Sequence, residues 1–178
     1  MVKFIVASNW QKDLIPSLRK DYIDELYGKL VADFVGGGRQ SFCLPEVSRK
    51  DAAGHILEAH RNNLRFNYLL NGFCLDNKEY TISGQRMIHR LLSWVVNVGV
   101  DSVTVTVPYL LELIKKQYPK LKVYVSSLAG VNSVERAKYW EDLGADAITL
   151  FYPDVNRDFR LLSALRKNVK CALQLIAN

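Results

Sequence analysis

Hydrophobic positions along this chain alternate between two spacings. Short β-rich runs recur at Lys3–Ala7, Ala32–Val35, Arg65–Leu70, Ser102–Val107, Lys122–Ser127, Asp146–Phe151 and Lys170–Ile176, and the pattern predicts a strand at each. Between them, apolar residues fall every third or fourth position, the spacing of a helix with one buried face. Ile23, Leu26, Tyr27 and Leu30 form the first such stripe, interrupted by Gly28. Further stripes run through Ala52, Ile56 and Ala59, through Ile88, Leu91 and Val95, through Leu110, Leu111 and Ile114, through Val134, Ala137 and Trp140, and through Phe159, Leu162 and Leu165. Helix starts are expected at Ser48 (with Asp51 closing a capping-box-like pair), Ser83, Asn132 (with Glu135) and Asn156. Pro16 marks the stretch up to Lys20 as irregular.

A repeat supports this alternation. Asn97–Pro108 aligns with Asp142–Pro153 at an offset of 45 residues, with Gly99/Gly144, Asp101/Asp146, Thr104/Thr149 and Pro108/Pro153 identical. In each copy a glycine stops a helix, an aspartate precedes a short apolar strand, and a proline opens the next helix. One further strand and helix lie between the copies, so the offset corresponds to two strand-helix units of a parallel sheet. The expected fold class is α/β: a TIM-barrel-like (β/α) domain, residues 1–178 forming a single partial (β/α)8 barrel truncated after the seventh strand. Open sheet edges invite cover, so the remaining barrel segment or a partner chain is expected there.

Composition changes this picture little. At 178 residues, 49% hydrophobic and 24% charged, the chain reads as one soluble domain. Its first residues are too weakly apolar for a signal peptide, and no run reaches membrane-spanning length, so a cytoplasmic location is expected and no membrane partner. Three cysteines, Cys43, Cys74 and Cys171, are far apart and give neither a disulfide framework nor a zinc spacing. The net charge of +6 is spread over many segments and reads as a solvated exterior rather than a nucleic-acid stripe.

In strand-helix barrels the site lies at the carboxyl ends of the strands. Those ends are expected to carry Ser8, Asn9, Gly36–Arg39, Asn71, Thr106, Ser126, Ser127, Tyr152, Gln174 and Asn178, a neutral set with Arg39 its one sure charge. From it, Arg39, Asn71, Ser127, Gln174 and Asn178 are the candidate substrate-binding residues. Gly36–Gly38 with Arg39 is either an anion-binding loop or a turn that needs permissive backbone. Cys43, in the loop after the expected second strand, is a candidate metal ligand or nucleophile. A nucleophile needs a base, and His55, His60 and His89 all fall in helical stretches. Catalytic residues are not assigned.

The order of phrases Val100–Ile114, Pro119–Ser127 and Val131–Asp146 resembles the collagenase-like peptidases of unassigned catalytic type, the family called U32. Asp33–Arg39 and Phe66–Asn71 resemble that family's second- and third-strand phrases. The resemblance implies a TIM-barrel-like N-terminal portion and peptidase (hydrolase) activity of the whole protein, the fragment alone being inactive, with a peptide as substrate. Some family members are instead oxygen-independent hydroxylation proteins that use an iron-sulfur cluster and act on RNA bases or a quinone precursor. On that alternative, Cys43 supplies one thiolate and the others lie beyond Leu173–Asn178, so no complete cofactor site exists within this chain and a cluster belongs to the full-length protein. A further alternative is a non-catalytic anion-binding barrel that uses Arg39.

Overall fold

The computed structural model describes residues 3–19, 21–38 and 44–177. Strands form at Phe4–Ala7 (β1), Ile23–Gly28 (β2), Arg65–Leu70 (β3), Ser102–Val105 (β4), Lys122–Val125 (β5), Ala147–Thr149 (β6) and Ala172–Gln174 (β7). Helices form at Leu14–Ser17 (α1), Arg49–Arg61 (α2), Ile82–Asn97 (α3), Pro108–Gln117 (α4), Val134–Asp142 (α5), Tyr152–Val155 (α6) and Phe159–Asn168 (α7). The seven strands are hydrogen-bonded in chain order, the ordering of a serial β/α fold. Two compact units divide the chain: Met1–Leu70 with Leu75–Val103, and Asn71–Cys74 with Thr104–Asn178.

In the first unit, β1 pairs with β2 and β2 with β3, all parallel, with Leu26 opposite Phe66 and Glu25 opposite Arg65. The helix-facing side of these strands is closed by fully buried Leu26, Phe66, Ile56, Ile88 and Leu92, each burial contributing about 1.5–3 kcal/mol. In the second unit β5 pairs with β6 and β6 with β7, again parallel. Leu110, Leu111, Ile114, Val123, Val125, Ile148 and Leu165 are buried there without residual exposure.

Two expectations fail in the first unit. The stripe Ile23–Leu30 is not a helix: Ile23–Gly28 is strand β2. Its two faces are both covered, so apolar Leu26 and buried polar Glu25 sit side by side and the period-two signal disappears. Ala32–Val35, expected to be the second strand, is a turn, because Asp33 Oδ1 accepts from Val35 N (3.1 Å) and Gly36 N (2.7 Å). Gly36–Gly38 therefore follows that turn and not a strand end, with Gly36 at a left-handed φ of 75°. Before Lys20, the chain forms the single turn α1 around Pro16 rather than irregular structure.

Caps shift by one or two residues. Ser48 and Asp51 pair as expected, with Asp51 N donating to Ser48 Oγ at 3.1 Å. The α3 cap is Thr81 and not Ser83, that of α5 is Ser133 and not Asn132, and that of α7 is Asp158 and not Asn156. Asn156 instead follows α6 and donates to Ile176 O at 2.6 Å. The last four strands are shorter than expected, because their flanking residues turn into loops.

The repeat is a repeated device. Asp101 N donates to Phe66 O at 3.0 Å while Phe66 N donates back to Asp101 Oδ2 at 2.7 Å. Asp146 N and Val123 make the same reciprocal pair, at 2.9 and 2.7 Å. Each carboxylate also meets a side chain from the last turn of the helix that leads into the neighbouring strand, His60 of α2 for Asp101 and Lys115 of α4 for Asp146. Gly99 and Gly144 sit at φ values of 82° and 102°, ending their helices in the left-handed conformation.

Candidate functional site

The carboxyl end of β1 leads into a buried serine–histidine pair. Ser8 is fully buried, and its Oγ lies 3.0 Å from Nε2 of His55 on α2. Trp10 N donates to the same oxygen at 3.1 Å, and the imidazole tautomer sets which of Ser8 and His55 donates to the other. Burial pushes the His55 pKa down, which favours the neutral ring, opposed by the Glu58 carboxylate. The distance suits a nucleophile and its base. Access does not: Trp10 covers the pair, 5.4 Å from the His55 ring and 5.3 Å from Phe66. The pair ties α2 to β1.

β2 ends under the same tryptophan. A Cβ on Gly28 would lie 3.0 Å from Trp10 Cζ2 and 3.2 Å from Phe66 Cζ, so a larger residue would require the rings to give way by a few tenths of an ångström. Trp10 Nε1 donates to Lys29 O at 3.1 Å. Lys29 and Asp33 form an ion pair at 3.5 Å with side chains 3% and 0% exposed. Tyr68 OH, on β3, donates to Asp33 Oδ2 at 2.9 Å and accepts from Leu30 N at 3.2 Å. Four donors thus surround the Asp33 carboxylate and offset its desolvation. Burial and Asp33 raise the Tyr68 pKa, so the phenol keeps its proton. Lys29, Asp33 and Tyr68 were not singled out by sequence reasoning, although an aspartate three residues before a glycine is a turn signature.

A second polar set lies between β2, β3 and β4. Asn67 Nδ2 donates to Ser102 Oγ at 2.6 Å, and Ser102 Oγ donates to Glu25 Oε1 at 2.6 Å. Glu25 is fully buried, and its other carboxylate oxygen has no hydrogen-bond partner among the described residues. Burial raises its pKa, the Ser102 hydrogen bond and the Arg65 charge opposing.

In the second unit, Asn71 meets Thr106, just past β4, and Ser126, just past β5. Asn71 Nδ2 donates to Ser126 Oγ at 3.2 Å, and Thr106 Oγ1 donates to Asn71 O at 3.2 Å. Ser126 Oγ also accepts from Leu128 N at 3.2 Å, and Ser126 N donates to Val105 O at 2.8 Å. All three side chains are uncharged and buried. Further along, Thr149 Oγ1 donates to Gln174 Oε1 at 2.8 Å, joining the ends of β6 and β7.

Of the sequence candidates, Asn71 is therefore joined to Ser126, while Ser127 opens a short 3-10 turn, Ser127–Ala129. Gln174 is engaged by Thr149. Arg39, Cys43 and Asn178 lie outside the described residues. His55, His60 and His89 are all helical. Cys74 is exposed and Cys171 half-buried, its thiol pushed up to about 11 by burial and by Glu141. Among the described residues no three His, Cys, Asp or Glu side chains come together as a metal set. No helix among them is long and apolar enough to cross a membrane.

Comparison with known proteins agrees with the residue phrases. The sequence pattern of Peptidase family U32 matches residues 38–151. The chain is 35% identical over 178 residues to the uncharacterized protease MJ1657 of Methanocaldococcus jannaschii, covering 99% of this chain and 52% of that protein. It thus spans about half the length of this curated relative. The solved U32 peptidase Mk0906 superposes with a TM-score of 0.82 at 24% identity, over 98% of this chain and 68% of its own. The citrate synthase SbnG shares the fold more distantly, with a TM-score of 0.59, 13% identity and coverage of 99% and 78%. By fold, by residue phrases and by matched sequence, the chain belongs to peptidase family U32.

Proposed function

We propose that this chain supplies the substrate-positioning half of a peptide hydrolase, whose full-length form cleaves peptide bonds. The observation that carries the reading is the uncharged Asn71–Thr106–Ser126 cluster at the strand ends of a chain 35% identical to a protease. Amide and hydroxyl groups match the donors and acceptors of a peptide backbone without adding charge. Hydrolysis also needs an activated nucleophile and oxyanion donors. The Ser8–His55 pair has the spacing of the former but is sealed beneath Trp10. Binding and orientation are this chain's part in that reading.

The test is the full-length protein incubated with a mixed peptide digest, with products read by mass spectrometry. New termini that accumulate with time support the reading. An intact digest after incubation with folded full-length protein contradicts it.

A further inference from the structure

A groove of about 470 Å³ in the first unit carries its own chemistry. Asp33 and Phe34 from the turn after β2, Arg49 at the start of α2, and Met87, Arg90 and Leu91 of α3 line it. Phe34, Met87 and Leu91 make its surface apolar. The one carboxylate in the lining, Asp33, is fully buried and engaged by Lys29, Tyr68 OH and two backbone amides, so it does not neutralise a visitor's partner.

Both guanidinium groups are available. Arg49 lies over the Trp94 ring at 5.2 Å, and Trp94 meets Tyr68 edge-on at 5.5 Å. Tyr68 is itself fixed by Asp33. This stack holds the Arg49 cation on a ring face. Among the described residues Arg90 donates to the Met87 sulfur, a weak acceptor at 4.0 Å. Neither arginine forms an ion pair with a described carboxylate. Lys78 stacks on Phe34 at 5.6 Å and fixes that ring beside the groove. A prearranged cation loses little freedom when it binds, which favours affinity over a freely rotating surface arginine.

We infer that this groove binds a small organic anion, a carboxylate or phosphate head attached to an apolar or aromatic body, with Arg49 and Arg90 on the head and Phe34, Met87 and Leu91 against the body. The cluster proposed to position peptides uses none of these residues.

Isothermal titration calorimetry at low salt tests the assignment with three probes: phenyl phosphate, benzoate and inorganic phosphate. Phenyl phosphate or benzoate should bind about tenfold or more tightly than inorganic phosphate, because only they fill the apolar part. The tighter of the two identifies the preferred head. Arg90→Ala and Arg49→Ala should each weaken that binding about ten- to a hundredfold, the effect of losing a charge-assisted hydrogen bond. Arg49→Lys should restore only part of it, since an ammonium cannot present a fork. Far-UV circular dichroism checks that each variant is folded. Absence of binding by both organic probes, or unchanged affinity in a folded Arg49→Ala/Arg90→Ala double variant, overturns the proposal.

Discussion

Glu25 shows how one residue can set both a local cost and a pH dependence. It is fully buried with one oxygen unpartnered among the described residues, and burial raises its pKa above the ordinary value of 4.5. A raised carboxyl pKa means that the folded state holds the proton longer than the unfolded chain does. Its contribution is therefore fully present below pH 4.5 and is lost as the pH rises through the folded pKa. Glu25→Gln mimics the protonated form and still accepts from Ser102. Urea unfolding should show the variant gaining stability relative to the parent between pH 5 and pH 8, and a relative loss over that interval would contradict the assignment. Gly84 is limited by space alone. A Cβ there would lie 1.9 Å from the Lys78 carbonyl oxygen, which the turn Lys78–Tyr80 holds against α3. Gly84→Ala should cost about 2–3 kcal/mol in urea unfolding, at the upper range of overpacking effects. A cost below about 0.5 kcal/mol, the range of ordinary surface changes, would show that the turn yields freely.

At the scale of elements, the repeated glycine–x–aspartate device joins each strand start to the strand before it. Asp101 and Asp146 each accept a backbone N–H and meet a helix side chain, His60 or Lys115, so removing either carboxylate orphans a strand amide. Asp101→Ala and Asp146→Ala should each lower stability by about 1–3 kcal/mol, the cost of leaving such a group unsatisfied. The glycines respond differently, because added Cβ atoms would meet His60 and Lys115 only at 3.6 and 3.5 Å. Their restriction is the positive φ, so Gly144→Asn should be tolerated better than Gly144→Val, which chemical denaturation can rank. This device was legible in the sequence because identical residues recur at a fixed offset. β2 was not legible: the polar Glu25 on a buried face broke the alternation, and the chance spacing of Ile23, Leu26, Tyr27 and Leu30 imitated a helix. That error displaced the second strand onto Ala32–Val35, where Asp33 instead folds the backbone into a turn.

For the whole molecule, strand order follows chain order, and the family relation was readable from phrases spread over most of the chain. The site was legible in part. Asn71 could be placed at a strand end because the Arg65–Leu70 run is contiguous, but its partner Ser126, like Thr106 beside it, was one member of a longer set of strand-end residues. Lys29, Asp33 and Tyr68 were hidden by the displaced strand. The Ser8–His55 contact joins residues 47 positions apart, a pairing that local spacing does not reveal. The central claim separates these two polar groups by role, with Asn71 and Ser126 positioning a peptide and Ser8 holding α2 to β1. The most direct measurement is steady-state peptide hydrolysis by the full-length protein carrying Ser8→Ala or Ser126→Ala, each checked for folding by its thermal midpoint. Ser126→Ala should raise KM about three- to tenfold, the value of about one hydrogen bond, while folded Ser8→Ala keeps kcat within about threefold. A folded Ser8→Ala variant that loses turnover, beside a Ser126→Ala variant with unchanged KM, would contradict the account.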